Sequence, residues 1–167
     1  QKVGEAEALV RGGVKDVLVS NQIVGIHKQR RLAALAKDAN VSVCFDTPEL
    51  VEQTGAVARD FGVTLGALVE IEVGMQRCGG PPGEPARDLA RLIGSTKVLR
   101  FRGLQAYYGT AQHLATYAER REAIGRAADA ARLTVEMLKQ DGIACELVTG
   151  AGTGTYEFEG TSGLWNE

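Results

Sequence analysis

The sequence predicts an α/β fold built on a parallel sheet, and three observations predict it. Short apolar runs begin near residues 16, 41, 65, 98 and 145, and a stretch of helical composition separates each from the next. That order is the signature of repeated β-α-β units. Gly supplies 21 of the 167 residues with no Gly-X-Y period, as a chain with many tight strand–helix turns requires. Hydrophobic residues at 44% and charged residues at 24% are ordinary globular usage, which excludes a disordered chain. Lys plus Arg at 19 against Asp plus Glu at 21 leaves a formal charge of −2. A nucleic-acid-binding surface would need a clustered basic excess, so that class is excluded. No run approaches the ~18 apolar residues of a membrane span.

The elements follow in order. Val3 to Arg11 has helical composition and meets a stop at Gly12-Gly13. Asp16-Val17-Leu18-Val19-Ser20 is a short buried strand. A helix from Ile26 to Asp38 places Ile26, Leu32, Leu35 and Ala36 on its apolar stripe. Val41 to Phe45 is the next strand, and Thr47 with Pro48 reads as N-cap and first turn of a helix that Gly62 ends. A strand over 65–73 precedes the loop Gly79-Gly80-Pro81-Pro82-Gly83, and a helix covers Glu84 to Ile93. A strand over 98–106 then leads to a long helix from Leu114 to Gln140. Its core face is Tyr117, Ile124, Ala128, Ala131, Val135 and Leu138. Cys145 to Thr149 is the last strand, with no helix expected in Tyr156-Glu157-Phe158-Glu159.

A doubly wound sheet and a (β/α)8 barrel both fit this order, and in both ligands bind beyond the carboxyl ends of the strands. Those ends carry groups that apolar packing does not need. Glu70 and Glu72, two apart, project to one face of a strand, and Arg77 follows in a glycine-flanked turn. Gln105, Tyr107, Tyr108, Gln112 and His113 gather at the next strand end. The last strand runs into Thr149-Gly150-Ala151-Gly152-Thr153-Gly154-Thr155, where glycine lets backbone N–H groups approach an anion and threonine adds donors. It is neither a P-loop nor a Rossmann fingerprint, since no Gly-Lys-Ser/Thr follows and the motif closes the array. His27 and the doublets Arg30-Arg31 and Arg120-Arg121 read as solvated helix surface. Three cysteines, Cys44, Cys78 and Cys145, form no C-x-x-C pair, so a disulfide framework is not expected and a reducing cytoplasm is the natural compartment.

Taken together, these motifs resemble the fold-type III pyridoxal-phosphate enzymes, the alanine-racemase-like barrels. Within them the chain is most similar to the D-threonine aldolase, D-serine dehydratase and 3-hydroxy-D-aspartate aldolase group. The resemblance rests on Gln1-Lys2-Val3 with Glu5-Ala6-Glu7, on Val69 through Gly79, on Gly103 to Tyr107, on Gln112-His113 and on Thr149 to Tyr156. It covers essentially the whole chain and implies a (β/α)8 TIM-type barrel, incomplete, from about the end of strand two to just before strand eight. Residues 1–167 would be a partial cofactor-binding barrel domain, with the family's C-terminal β-domain outside it. The implied roles place Gln1 beside the cofactor, Arg77 at its phenolic oxygen, and Tyr107 and His113 near the ring or substrate. His113 would be a proton-transfer partner, and Gly150, Gly152 and Thr153 would bind the phosphate. Ala151 stands where the family usually has a third glycine, which is tolerable unless the backbone there needs a positive φ.

The resemblance implies pyridoxal 5'-phosphate as cofactor and a divalent metal (Mg, Mn or Zn) held by the C-terminal domain. The Schiff-base lysine of the family falls upstream of Gln1. The expected activity of the complete protein is a lyase reaction, cleaving a β-hydroxy-D-amino acid to glycine and an aldehyde, in a homodimer. A D-serine or 3-hydroxyaspartate dehydratase, an amino-acid racemase, a non-catalytic carrier of the cofactor and a phosphosugar barrel are the alternatives. The piece alone is expected to be inactive, with unpaired sheet edges prone to aggregation. All of this requires Arg77, Tyr107 and Thr153 to gather at one mouth.

Overall fold

The computed structural model describes residues 2–167. Its elements run α1 (Val3–Arg11), β1 (Asp16–Val19), α2 (Ile26–Leu35), β2 (Asn40–Phe45), α3 (Pro48–Phe61) and β3 (Leu65–Glu70), then α4 (Glu84–Ser95), β4 (Leu99–Gln105), α5 (Tyr117–Gln140), β5 (Leu147–Thr149) and α6 (Tyr156–Thr161). A 3-10 turn, Gly109–His113, lies between β4 and α5. The strands stand in sequence order, β1-β2-β3-β4-β5. β1 and β2 pair in parallel from Asp16 opposite Asn40 to Val19 opposite Val43, and β4 and β5 pair in parallel from Gly103 opposite Leu147 to Gln105 opposite Thr149. Neighbouring parallel strands joined by helices are what the alternation predicts.

The chain forms two compact units, one running to Leu68 and including Leu89–Phe101, the other made of Val69–Asp88 and Arg102–Glu167. In the first, β1 and β2 bury Val17, Val19, Val41, Val43 and Phe45. Helix α2 turns Leu32, Ala33 and Gln29 inward and leaves Ile26 exposed, which corrects the expected stripe. Gln29 is tolerated there because its Nε2 donates to the Ile23 carbonyl at 3.2 Å. Thr47 caps α3 as expected, its Oγ1 accepting from the Leu50 N–H at 3.4 Å, and Gly62 ends it at φ 65°. Arg31 of α2 grips Glu7 of α1 through two hydrogen bonds of 2.7 and 2.6 Å, and the guanidinium holds the Glu7 carboxyl below its usual range. Arg31 is therefore an inter-helix tie, where plain solvated surface was expected.

In the second unit α5 buries Ala123, Ile124, Ala127, Ala128, Ala131, Thr134 and Leu138. Tyr117, expected in this face, is 55% exposed. The helix starts at Tyr117 because Thr116 and Glu119 form a capping box: Oγ1 of Thr116 accepts from the Glu119 N–H, and the Glu119 carboxylate accepts from the Thr116 N–H. Residues 114–116, expected to be helical, therefore lie outside the helix. Strand β3 stops at Glu70 instead of 73, and β5 starts at Leu147 instead of 145. Residues 156–161 are helical against expectation. Phe158 packs edge-on to Tyr117 at 4.8 Å and onto the Ala111–Ala123–Ile124 cluster, and this tertiary contact outweighs the strand-like alternation of the segment.

The edge of β5 is closed by Asn166. Its Oδ1 accepts from Val148 N–H and its Nδ2 donates to the Glu146 carbonyl, both at 2.9 Å, while its own N–H donates to Val148 O at 3.1 Å. That contact replaces part of the bare edge expected from the sequence. Among the described residues no helix is long and apolar enough to cross a membrane, and none of the three cysteines is in a disulfide.

Candidate active site

The carboxyl ends of β3, β4 and β5 meet within the second unit. Beyond β3 the chain makes a closed loop. Ile71 bridges Gly80 in parallel, Glu72 N–H donates to Gly80 O at 2.8 Å, and Gly80 N–H donates back to Glu70 O at 3.0 Å. Inside it, the Glu72 carboxylate accepts from the N–H groups of Gly74 and Gln76. Gly74 at φ 127° and Gln76 at φ 52° turn the chain. Glu72 is thus a loop anchor. The loop presents Arg77, whose Nη2 lies 3.9 Å from Oε1 of Glu70. The Glu70 side chain is only 5% exposed and that of Arg77 42%, so a buried acid orients a cation that still faces solvent.

Past β4, Tyr107 lies under this cation, with the Arg77 guanidinium carbon 5.9 Å from the ring centre. The phenol oxygen of Tyr107 accepts from Nε2 of Gln112 at 3.0 Å, and the same Nε2 donates to the Gly109 carbonyl at 3.3 Å. The other end of that amide, Oε1, accepts from the Gly154 N–H at 3.1 Å. Arg77, Tyr107, Gln112 and the glycine turn after β5 therefore form one continuous set of contacts, with Thr153 beside Gly154. Of the three residues expected together, Arg77 and Tyr107 are in contact, and Thr153 is linked to them only through its neighbour Gly154 and Gln112. Tyr108 packs against the Ala111–Ala123–Ile124 cluster, and its ring also lies on Gly74 of the Arg77 loop, where a Cβ would strike it.

The glycine turn is built for close approach. Gly150 has φ 130°, and a Cβ there would lie 2.6 Å from the carbonyl carbon and oxygen of Ala106 and 2.8 Å from the nitrogen of Tyr107. A Cβ on Gly152 would strike the Gln112 side chain, so Gly152 is glycine to seat Gln112. Ala151 is not among the residues of positive φ, which is why a methyl is accepted there. Among the described residues the N–H groups of Ala151, Gly152 and Thr153 have no hydrogen-bond partner. Three successive free donors in a turn form a nest for an anion. Below them Thr155, buried, donates to the Glu159 carboxylate at 2.8 Å and holds the Gly152 carbonyl through its N–H at 3.0 Å.

Two further observations complete the site. Gln105, the last residue of β4, is 5% exposed, and its Oε1 has no partner among the described residues. A buried amide oxygen left open at the end of β4, two residues before Tyr107, calls for a donor. His113 is exposed at the end of the 3-10 turn, and its side chain makes no hydrogen bond or ion pair among the described residues. Gln1 lies outside the described residues. Sequence reasoning counted Glu70, Gln105 and Gln112 among the polar groups at strand ends and Thr155 within the glycine turn without giving any of them an individual role, and it did not single out Glu159. A cavity of about 580 Å³ in the first unit, lined by Lys2, Asn21, Ile23, Lys28 and Arg31 among others, holds none of the expected site residues that lie among the described residues. Its size carries less weight than the convergence of chemistry described above. No three His, Cys, Asp or Glu side chains come together as a metal site among the described residues.

The chain matches known proteins along its length. It is 41% identical over 168 residues to 3-hydroxy-D-aspartate aldolase of Paracoccus denitrificans (strain Pd 1222), covering 100% of this chain and 43% of that protein. It is 38% identical over 167 residues to D-threonine aldolase of an Arthrobacter species, covering 100% and 44%. The crystal structure of D-threonine aldolase from Filomicrobium marinum superposes with a TM-score of 0.98 at 42% identity, over 100% of this chain and 45% of that one. Alanine racemase of Clostridium difficile 630 shares the fold alone, with a TM-score of 0.77 at 15% identity over 92% of this chain and 40% of that one. The chain thus spans less than half the length of these relatives. The family described as alanine racemase, N-terminal domain, matches residues 1–164, and the chain belongs to that family, as an incomplete (β/α) barrel.

Proposed function

We propose that the complete protein is a pyridoxal-phosphate-dependent lyase that cleaves a β-hydroxy-D-amino acid, such as 3-hydroxy-D-aspartate or D-threonine, to glycine and an aldehyde. The observation that carries this reading is the set of contacts from Arg77 through Tyr107 and Gln112 to the glycine turn. The family implies the cofactor, and the residues present fit it: free N–H donors for a phosphate, a cation above a phenol, and an open buried amide oxygen. When bound, the cofactor supplies the electron sink for charge released at Cα. The chain's own residues supply the rest. Ala151, Gly152 and Thr153 donate backbone N–H groups to the phosphate, with Gly150 allowing the turn to close on Ala106. Arg77, paired with Glu70, would hold positive charge toward the cofactor's phenolic oxygen. Tyr107 already accepts from Gln112, which leaves its own O–H to donate. His113, exposed beside Gln112, moves a proton between solvent and substrate. The Schiff-base lysine and the divalent metal belong to parts of the protein outside this chain, and Gln1 belongs to the cofactor's surroundings. Three cysteines outside any disulfide support a reducing, cytoplasmic setting, and the homodimer expected of the family completes the reading.

The test is product analysis on the complete protein with pyridoxal phosphate and added divalent metal. Glycine and glyoxylate from 3-hydroxy-D-aspartate, or glycine and acetaldehyde from D-threonine, support the reading. A keto acid with ammonia makes it a dehydratase, and no turnover of either amino acid overturns it.

A further inference from the structure

We infer that Gln112 is a positioning residue that ties the ring-side phenol of Tyr107 to the phosphate-side turn, so that both halves of the cofactor site are set by one side chain; this rests on the function proposed above. The direction of each hydrogen bond is fixed by chemistry. Gly154 offers an N–H, which only donates, so the atom of Gln112 facing it at 3.1 Å is the amide oxygen. The nitrogen must then face Tyr107 at 3.0 Å and the Gly109 carbonyl at 3.3 Å, and a carbonyl only accepts. Tyr107 is thereby made an acceptor toward Gln112, which frees its own O–H to donate into the site.

The same amide decides which donors of the turn face an anion. Gly154 is satisfied by Gln112, whereas Ala151, Gly152 and Thr153 keep free N–H groups among the described residues. Space is arranged to suit. Gly152 has no side chain where Gln112 lies, and a Cβ on Gly154 would come within 3.1–3.3 Å of Gln112 atoms. Tyr107 and Gly109 lie within five residues of Gln112, but Gly154 lies 42 residues beyond it, so no local turn geometry explains the link to the glycine turn.

The experiment uses the complete protein stripped of cofactor, with Gln112→Ala, Tyr107→Phe, the double variant, and Gln112→Asn, which keeps the amide on a shorter stem. Inorganic phosphate is titrated calorimetrically, and kcat for D-threonine is measured at saturating pyridoxal phosphate. Loss of one backbone anchor weakens phosphate about fivefold in Gln112→Ala, while Tyr107→Phe stays within about twofold of wild type. Both singles lower kcat, and the double variant is no slower than the slower single, because one tether is being cut twice. Phosphate affinity unchanged in both Gln112→Ala and Gln112→Asn, or kcat losses that multiply, overturns the inference. Gln112→Asn decides the matter if Gln112→Ala does not fold. A wild type that binds phosphate yet releases no aldehyde sinks the lyase reading while leaving the tether to be judged by the phosphate titrations.

Discussion

Replacing Gly150 with Ala tests whether the turn after β5 is set by backbone contact. Gly150 sits at φ 130°, where an L side chain costs ~1–3 kcal/mol. The added Cβ lies 2.6 Å from the carbonyl group of Ala106 and 2.8 Å from the nitrogen of Tyr107. Those atoms are main chain at the end of β4, and Ala106 N–H is already committed to Thr149 O at 2.8 Å, so none of them yields as a flexible side chain would. Forcing a methyl into filled space adds ~1–3 kcal/mol. The combined cost of about 2–6 kcal/mol lowers the melting temperature by roughly 5–20 °C in a domain of this size. Affinity for pyridoxal phosphate falls with it, because the free donors ride on the displaced turn. The assay is a thermal melt of the complete protein with and without cofactor, beside Ala151→Gly as control. That control has no positive φ to relieve and shifts stability by less than about 1 kcal/mol. A Gly150→Ala protein melting within roughly 2 °C of wild type, with unchanged cofactor affinity, would show that the backbone contact does not define the turn.

Three other outcomes are expected. Arg77→Lys keeps the charge but loses the planar group above Tyr107, so cofactor affinity measured by equilibrium dialysis falls, and Arg77→Ala falls further; an Arg77→Lys affinity equal to wild type refutes a role for shape. Burial pushes the Cys145 thiol up to about 11 from 9.0. It therefore resists alkylation near pH 8, and the native state loses stability as pH rises from about 9 to about 11, where the unfolded chain has shed a proton the folded one still holds. Rapid labelling of Cys145 in native protein at pH 8, read by mass spectrometry, contradicts this. Asn166→Ala removes two side-chain hydrogen bonds from the edge of β5 and costs about 1–3 kcal/mol in urea denaturation, whereas a midpoint equal to wild type would mean that the edge does not need them.

Alternation of apolar runs with helices was enough to read the parallel order, because each strand is buried and each helix carries a local start or stop such as Thr47, Pro48 and Gly62. Arg77, Tyr107 and the turn at 150–154 were legible for a related reason: polar groups at strand ends serve packing poorly. What escaped was set by contacts far apart in the chain. Gln112 acquires its role from Gly154, and α6 forms because Phe158 meets Tyr117. Gln105 looked like one amide among several until its oxygen proved buried and unpaired. One miss was local and avoidable: Thr116 and Glu119 spell a capping box, which places the start of α5 after Thr116.

The loop that carries Arg77 is fastened to the sheet at its neck, where Gly80 meets Ile71 and its neighbours, and held again within, where Val73 is buried and Gly74 lies against the Tyr108 ring. Such a lariat is secured at the knot and at the noose. A change at Val73 or Gly74 therefore reaches Arg77 through the loop, while the neck keeps the register of the strand beneath.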